Sequence, residues 1–197
     1  MLLPIYHGTP TFYPVSSDLY SAGQLVTPIK RGQLVGINED SEAVPYDATE
    51  ADQYPVGLAG DTVGTLSAGN FTNRVSDMGD QSFASGYVTV YNGGEYYVDI
   101  NAEGDDTDTP TGDVIEDDEV SVGDKLVPSE SNPGMLVVDN TNAVYQSSTA
   151  KYQLIARVVD SLSASDGKVP TGIPNENEPS GDSDSPRKFA RIRLMQL

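Results

Sequence analysis

The sequence predicts an all-β protein, a small β-barrel or β-tulip-like domain with an extended N-terminal arm and long acidic loops. Three observations predict it. Short runs of β-branched and aromatic residues recur along the 197 residues, each bounded by turn formers. The 19 Gly and 13 Pro punctuate the chain densely while hydrophobic residues make up only 37%, which suits short strands joined by many turns. No window carries the long i, i+3, i+4 apolar spacing of an amphipathic helix.

Residues 1–23 form the expected arm. Pro4, Pro10 and Pro14 prevent a helix and disfavour a central strand. Tyr6, Phe12, Tyr13, Leu19 and Tyr20 make the segment too apolar for a solvated linker. An extended stretch laid over a surface fits both facts, and that surface is either the arm's own domain or a neighbouring subunit.

Residues 24–197 supply the strands of the domain. Leu25–Val26 and Leu34–Ile37 flank a turn at Lys30-Arg31-Gly32. Asn38–Glu42 is a polar turn, and Ala43–Tyr46 the next strand. The stretch DATEADQY reads as a turn or short helix in which Thr49 could cap, with Asp52 three residues on. Tyr54–Gly60 is a strand that leaves its sheet at Gly60. Residues 61–80 are rich in turn formers and hold Arg74 alone among acids.

The strongest strand signal is QSFASGYVTVYNGGEYYVDI, residues 81–100. Two β-rich runs flank Asn92-Gly93-Gly94, residues that tolerate the positive φ of a tight turn, so a hairpin is predicted. Residues 101–119 form an acidic insertion that cannot bury enough apolar area to offset its ordering entropy, so it is expected as an exposed loop. VSVGDKL (120–126), MLVV (135–138) and YQLIARVV (152–159) are further strands. Residues 160–186 are a long loop, and RKFARIRLMQL closes the chain as a strand beside YQLIARVV.

Composition narrows the function. With 30 acidic against 11 basic residues the net charge is −19, which repels phosphate backbones and argues against nucleic-acid binding. Cysteine is absent, so thiol catalysis, disulfides and thiolate metal sites are excluded. The opening MLLPIYHGTP lacks the basic region and long apolar core of a signal peptide, and no apolar run approaches the ~20 residues of a membrane-spanning helix.

His7 is the only histidine and sits among prolines, a poor setting for a catalytic base. No nucleophile elbow, Walker loop or dinucleotide fingerprint occurs. Asp105, Asp106, Asp108 and Asp113 alternate along the insertion without the spacing or terminal Glu of a calcium hand, and a solvated loop accounts for them better. No cofactor, no metal and no enzyme activity is expected.

The basic residues are the more informative charges. Arg187, Lys188, Arg191 and Arg193 cluster near the C-terminus, and on a strand Arg191 and Arg193 project to one face. Such a patch either docks on an acidic partner or neutralises the protein's own acidic loops.

The order IKRGQLVGI, AVPYDATEADQYPVGLAGD, ASGYVTVYNGGEYYVDI, SVGDKLVPSESNPGMLVV, YQLIARVVDS, RKFARIRLMQL resembles the head decoration (capsid cement) proteins of tailed phages. The resemblance spans about residues 24–197 and lies in strand and turn punctuation, with no catalytic residue to carry over. It implies a β module on the exterior of the virion capsid, a structural protein that stabilises the shell. The implied partners are the major capsid protein and sister subunits in a homotrimer. Capsid or subunit contacts are then expected at Tyr6, Phe12, Tyr13, Tyr20, Arg187, Lys188, Arg191 and Arg193. The alternative reading is a carbohydrate- or receptor-binding β module of a phage fibre or adhesin, with Tyr91, Tyr96 and Tyr97 as an exposed stacking platform.

Overall fold

The computed structural model describes residues 2–7, 10–21, 24–25, 29–60, 62–63, 82–83, 86–100, 114–116, 120–139, 155–163 and 188–195. Within them the chain is almost wholly β, with one short 3-10 turn at Ser17–Leu19. The strands are β1 (Leu2–His7), β2 (Pro10–Pro14), β3 (Tyr20–Ser21), β4 (Gln24–Leu25), β5 (Leu34–Ile37), β6 (Ala43–Pro45), β7 (Tyr54–Ala59) and β8 (Thr62–Val63). There follow β9 (Ser82–Phe83), β10 (Tyr87–Tyr91), β11 (Gly94–Ile100), β12 (Lys125–Pro128), β13 (Leu136–Val138), β14 (Ala156–Ser163) and β15 (Lys188–Leu194).

Two antiparallel sheets carry the fold. The larger runs β1-β11-β15-β14-β12-β13 and the smaller β2-β10-β7-β5-β6. Leu34, Tyr46 and Leu58 of the small-sheet layer pack with Tyr96, Val98, Leu126, Val158, Ile192 and Leu194 of the large sheet, so the main core lies between the sheets. Each such buried aliphatic side chain contributes roughly 1.5–3 kcal/mol. The opposite face of the small sheet is also buried. Val35, Ala43, Ala59, Val88 and Val90 form a second core with Val15, Ile29 and Val63.

Each sheet curls until its edges approach at a seam one residue wide. In the small sheet Val15, just past β2, bridges Ala43 of β6. In the large sheet Ile115 bridges both Ile100 of β11 and Leu136 of β13. Among the described residues pairing at each seam is limited to these bridges, and the sheets do not close into a barrel. The all-β expectation holds, and a sandwich compatible with the tulip-like alternative replaces the barrel.

Ile115 also corrects the expected exposed insertion. Val114 and Ile115 are fully buried at the end of that acidic stretch, and the Leu136 amide donates to the Val114 carbonyl at 2.9 Å. The acidic composition of residues 101–119 conceals one apolar pair that the main core requires. The carboxylates at 105, 106, 108 and 113 lie outside the described residues, as does Arg74.

The predicted hairpin is the second correction. β10 pairs with β2 and β7, whereas β11 pairs with β1 and β15. With both edges of each strand taken, neither has an edge for the other, and the chain at Asn92-Gly93 passes from one sheet to the other as an arch. Gly94 supplies positive φ there, at 114°. The buried Tyr96 hydroxyl donates to the Gly93 carbonyl at 2.7 Å, and its ring lies 5.8 Å from that of Tyr91.

Two smaller differences concern boundaries. β14 starts at Ala156 and continues to Ser163, into the stretch read as a loop, because it pairs with β15 along its length. The turn after β6 is held by Asp47 rather than capped by Thr49. The Asp47 carboxylate accepts from the Thr49 amide at 2.8 Å and from its hydroxyl. The closing strand lies beside the YQLIARVV run, as expected.

Candidate interaction surfaces

The N-terminal segment builds the first surface. β1 pairs with β11 along the large sheet, the chain crosses, and β2 pairs with β10 along the small one. It therefore follows the β10–β11 arch from outside, strand for strand. Its prolines dictate an extended backbone, and their placement is specific. The Val15 amide donates to the Gly86 carbonyl at 2.8 Å, and the Gly60 amide to the Thr89 carbonyl at 2.7 Å. With the β2–β10 register, these bonds put the amide positions of Pro10, Phe12 and Pro14 on the outer edge. Two of those three positions have no N–H to offer, so the edge is a poor template for a further strand.

Side chains are what this flank presents. Phe12 is 65% exposed and Tyr87 60%. Phe12 pairs with Thr89 and Pro14 with Tyr87, so Phe12 and Tyr87 share a face as diagonal neighbours, a relation that sets backbone positions about 7–8 Å apart. Tyr13 points the other way, half-buried against the second core. Tyr6 lies in β1 opposite Glu95, and Tyr20 in β3 opposite Leu25.

The second surface is the outer face of the large sheet. Alternation in β15 buries Ala190, Ile192 and Leu194 and turns Arg191 and Arg193 outward. Both reach Glu95 on β11. Arg191 donates to one carboxylate oxygen, its Nε at 3.0 Å, and Arg193 to the other, its Nε at 2.7 Å. The hydrogen bonds from Arg191 and then Arg193 hold the Glu95 carboxyl below the usual glutamate range, and the Arg191 guanidinium is correspondingly raised by Glu95. Lys188 opens β15, paired with Ile100 and Ser163. Arg187 lies outside the described residues.

Sequence reasoning missed the rest of this face. Lys125 is in register with Arg157, Arg157 with Arg193, and Arg193 with Glu95, so three cations and a carboxylate form one row across four strands. The next row holds Asp160, Arg191 and Tyr97. Alternation in IARVV and KL contains the signal for Arg157 and Lys125. Which strands stand side by side does not follow from it.

The tyrosine platform of the alternative reading is not assembled. Tyr96 is fully buried in the main core, Tyr91 packs against it, and Tyr97 sits on the opposite face of β11. Among the described residues no group of three or more His, Asp or Glu side chains could hold a metal ion, and no helix is long and apolar enough to cross a membrane. No protein-family model, curated protein or solved structure matches the chain.

Proposed function

We propose that this chain is a structural protein that binds the outside of an assembled phage capsid and stabilises it. Its partner is the major capsid protein, it acts as a homotrimer, and its place is the virion exterior. The observation that carries the reading is the N-terminal ribbon. It follows both strands of the arch, blocks its own outer edge with prolines, and leaves Phe12 and Tyr87 exposed on one face. Aromatic anchors on a rigid sheet edge lose little conformational entropy on docking, which suits them to a permanent contact. The likeness in strand and turn punctuation to decoration proteins points the same way. Weak contacts repeated over a lattice stabilise the assembled shell because the protein binds the shell and not its parts.

The test is co-expression with the major capsid protein encoded nearest to it, followed by gradient sedimentation. The reading requires the chain to travel with assembled shells, and Phe12→Ala with Tyr87→Ala to release it while leaving its fold intact. Sedimentation of the native chain apart from shells would overturn it.

A further inference from the structure

We infer that the outer face of the large sheet is a docking site for an acidic protein segment, recognised chiefly by Arg157 and Arg193. The inference stands apart from the capsid reading, since it rests on a different surface.

A chain of net charge −19 places four of its 11 basic residues, Lys125, Arg157, Arg191 and Arg193, on one face of one sheet. Glu95 and Asp160 oppose them in the two rows, and Asp139, whose amide donates to the Lys125 carbonyl at 2.8 Å, stands at the Lys125 end of the first. The cations of the first row stand on neighbouring strands, about 4.8 Å apart. Like charges directly across a sheet repel, so Arg157 gains nothing from its two neighbours in the row, Lys125 and Arg193. Glu95 offsets the arginines of β15 and leaves Arg157, on the far side of β15, outside its reach in the register.

Glu95 also positions. A guanidinium carries five N–H donors, and Glu95 engages two of those on Arg193, whose side chain is 62% exposed. The planar group is thereby held in place with donors left to present outward, and ordering it on binding costs less. Arg157 is exposed beside it. Two adjacent guanidinium groups suit carboxylates, which they bind in a paired, planar geometry.

The ligand class follows from charge density. Duplex DNA carries one charge per ~1.7 Å and meets the repulsion of the whole molecule. A peptide segment with two or three carboxylates meets mainly the local face, because fields from the remaining acids are screened within ~8 Å at physiological salt.

The experiment measures fluorescence anisotropy of a labelled oligoglutamate peptide titrated with the full chain at physiological ionic strength. A single-stranded DNA oligonucleotide and heparin serve as competing anions. Binding of the peptide that weakens about tenfold in Arg157→Glu/Arg193→Glu, from two reversed contacts, is the expected result. Arg157→Glu alone leaves the Glu95 pair intact and should show a smaller loss, so misfolding of the double variant would not end the test. Lys30→Glu, an equal charge change elsewhere, should leave binding nearly unchanged. The inference is overturned if the native chain fails to bind the peptide, binds DNA or heparin as tightly, or loses as much affinity through Lys30 as through Arg157.

Discussion

The two sheets use their faces differently. The large sheet buries one face and turns Arg157 and Arg193 to water on the other, whereas the inner strands β5 and β7 of the small sheet bury residues on both, in the main core and in a second one. Their sequences differ accordingly. In β15 the run ARIRL alternates small or apolar with basic residues, and the pattern names its own inner and outer face. In β5 the run LVGI is apolar throughout, because Leu34 faces one core and Val35 the other. An alternating strand announces its layer, and a doubly buried one announces only that it is inside.

The sharpest way to break this comparison is a charge on the second face of the small sheet. Val90→Asp places a carboxylate in the second core and should cost about 4 kcal/mol or more, enough to unfold a marginal domain. Retention of a cooperative thermal transition near that of the native chain would mean that this face is open to water.

Crowding in the small sheet extends to its backbone. Gly57 sits at a bulge with φ of 147°, and a Cβ there would stand 2.2 Å from the Tyr91 carbonyl oxygen. Gly57→Ala should lose about 2–3 kcal/mol in urea unfolding, from strain and displacement together. A loss below about 0.5 kcal/mol would show that β7 and β10 can part freely.

On the outer face of the large sheet, effects should be small and salt-sensitive. Glu95→Gln is expected to cost under about 1 kcal/mol, since Arg193 lies mostly in water. Because the arginines lower the folded carboxyl pKa, its contribution is complete above the unfolded value, about 4.3, and is lost as pH falls through the folded one. The gap between native and variant stability should therefore close on going from about pH 7 to strongly acid solution. A gap that stays constant with pH would assign it to packing. Arg157→Val, on the same face, should change stability by no more than about 0.5 kcal/mol. A large loss there would mean that this face is covered rather than solvated.

Much of the fold was legible because strands and turns leave local marks. The turn at Asn38–Glu42, the strand ending at Gly60 and the inner and outer faces of the last strand follow from residue type and spacing. The arch did not. Asn92-Gly93-Gly94 satisfies a hairpin and an arch equally, and the choice belongs to β1, β2, β7 and β15, which compete for the edges of β10 and β11. Val114 and Ile115 were hidden for another reason, since two apolar residues cannot lift the average of an acidic stretch. Of the candidate contacts, the pairing of Arg191 with Arg193 on one face was readable from their spacing. Their common partner Glu95, far away in sequence, was not, and neither was Arg157 beside them.

The ribbon that follows the arch also sets an order of events during synthesis. Pro4 lies opposite Tyr96 and Pro10 opposite Tyr91, so β1 and β2 are synthesised well before the strands that pair with them. Until the middle of the chain emerges, β1 and β2 wait as unpaired apolar segments, the condition in which nascent chains associate with one another. Prolines at positions 4, 10 and 14 withhold the amides that a stray strand would use. The same residues that finish an edge in the folded protein would keep its beginning solitary while the rest is translated.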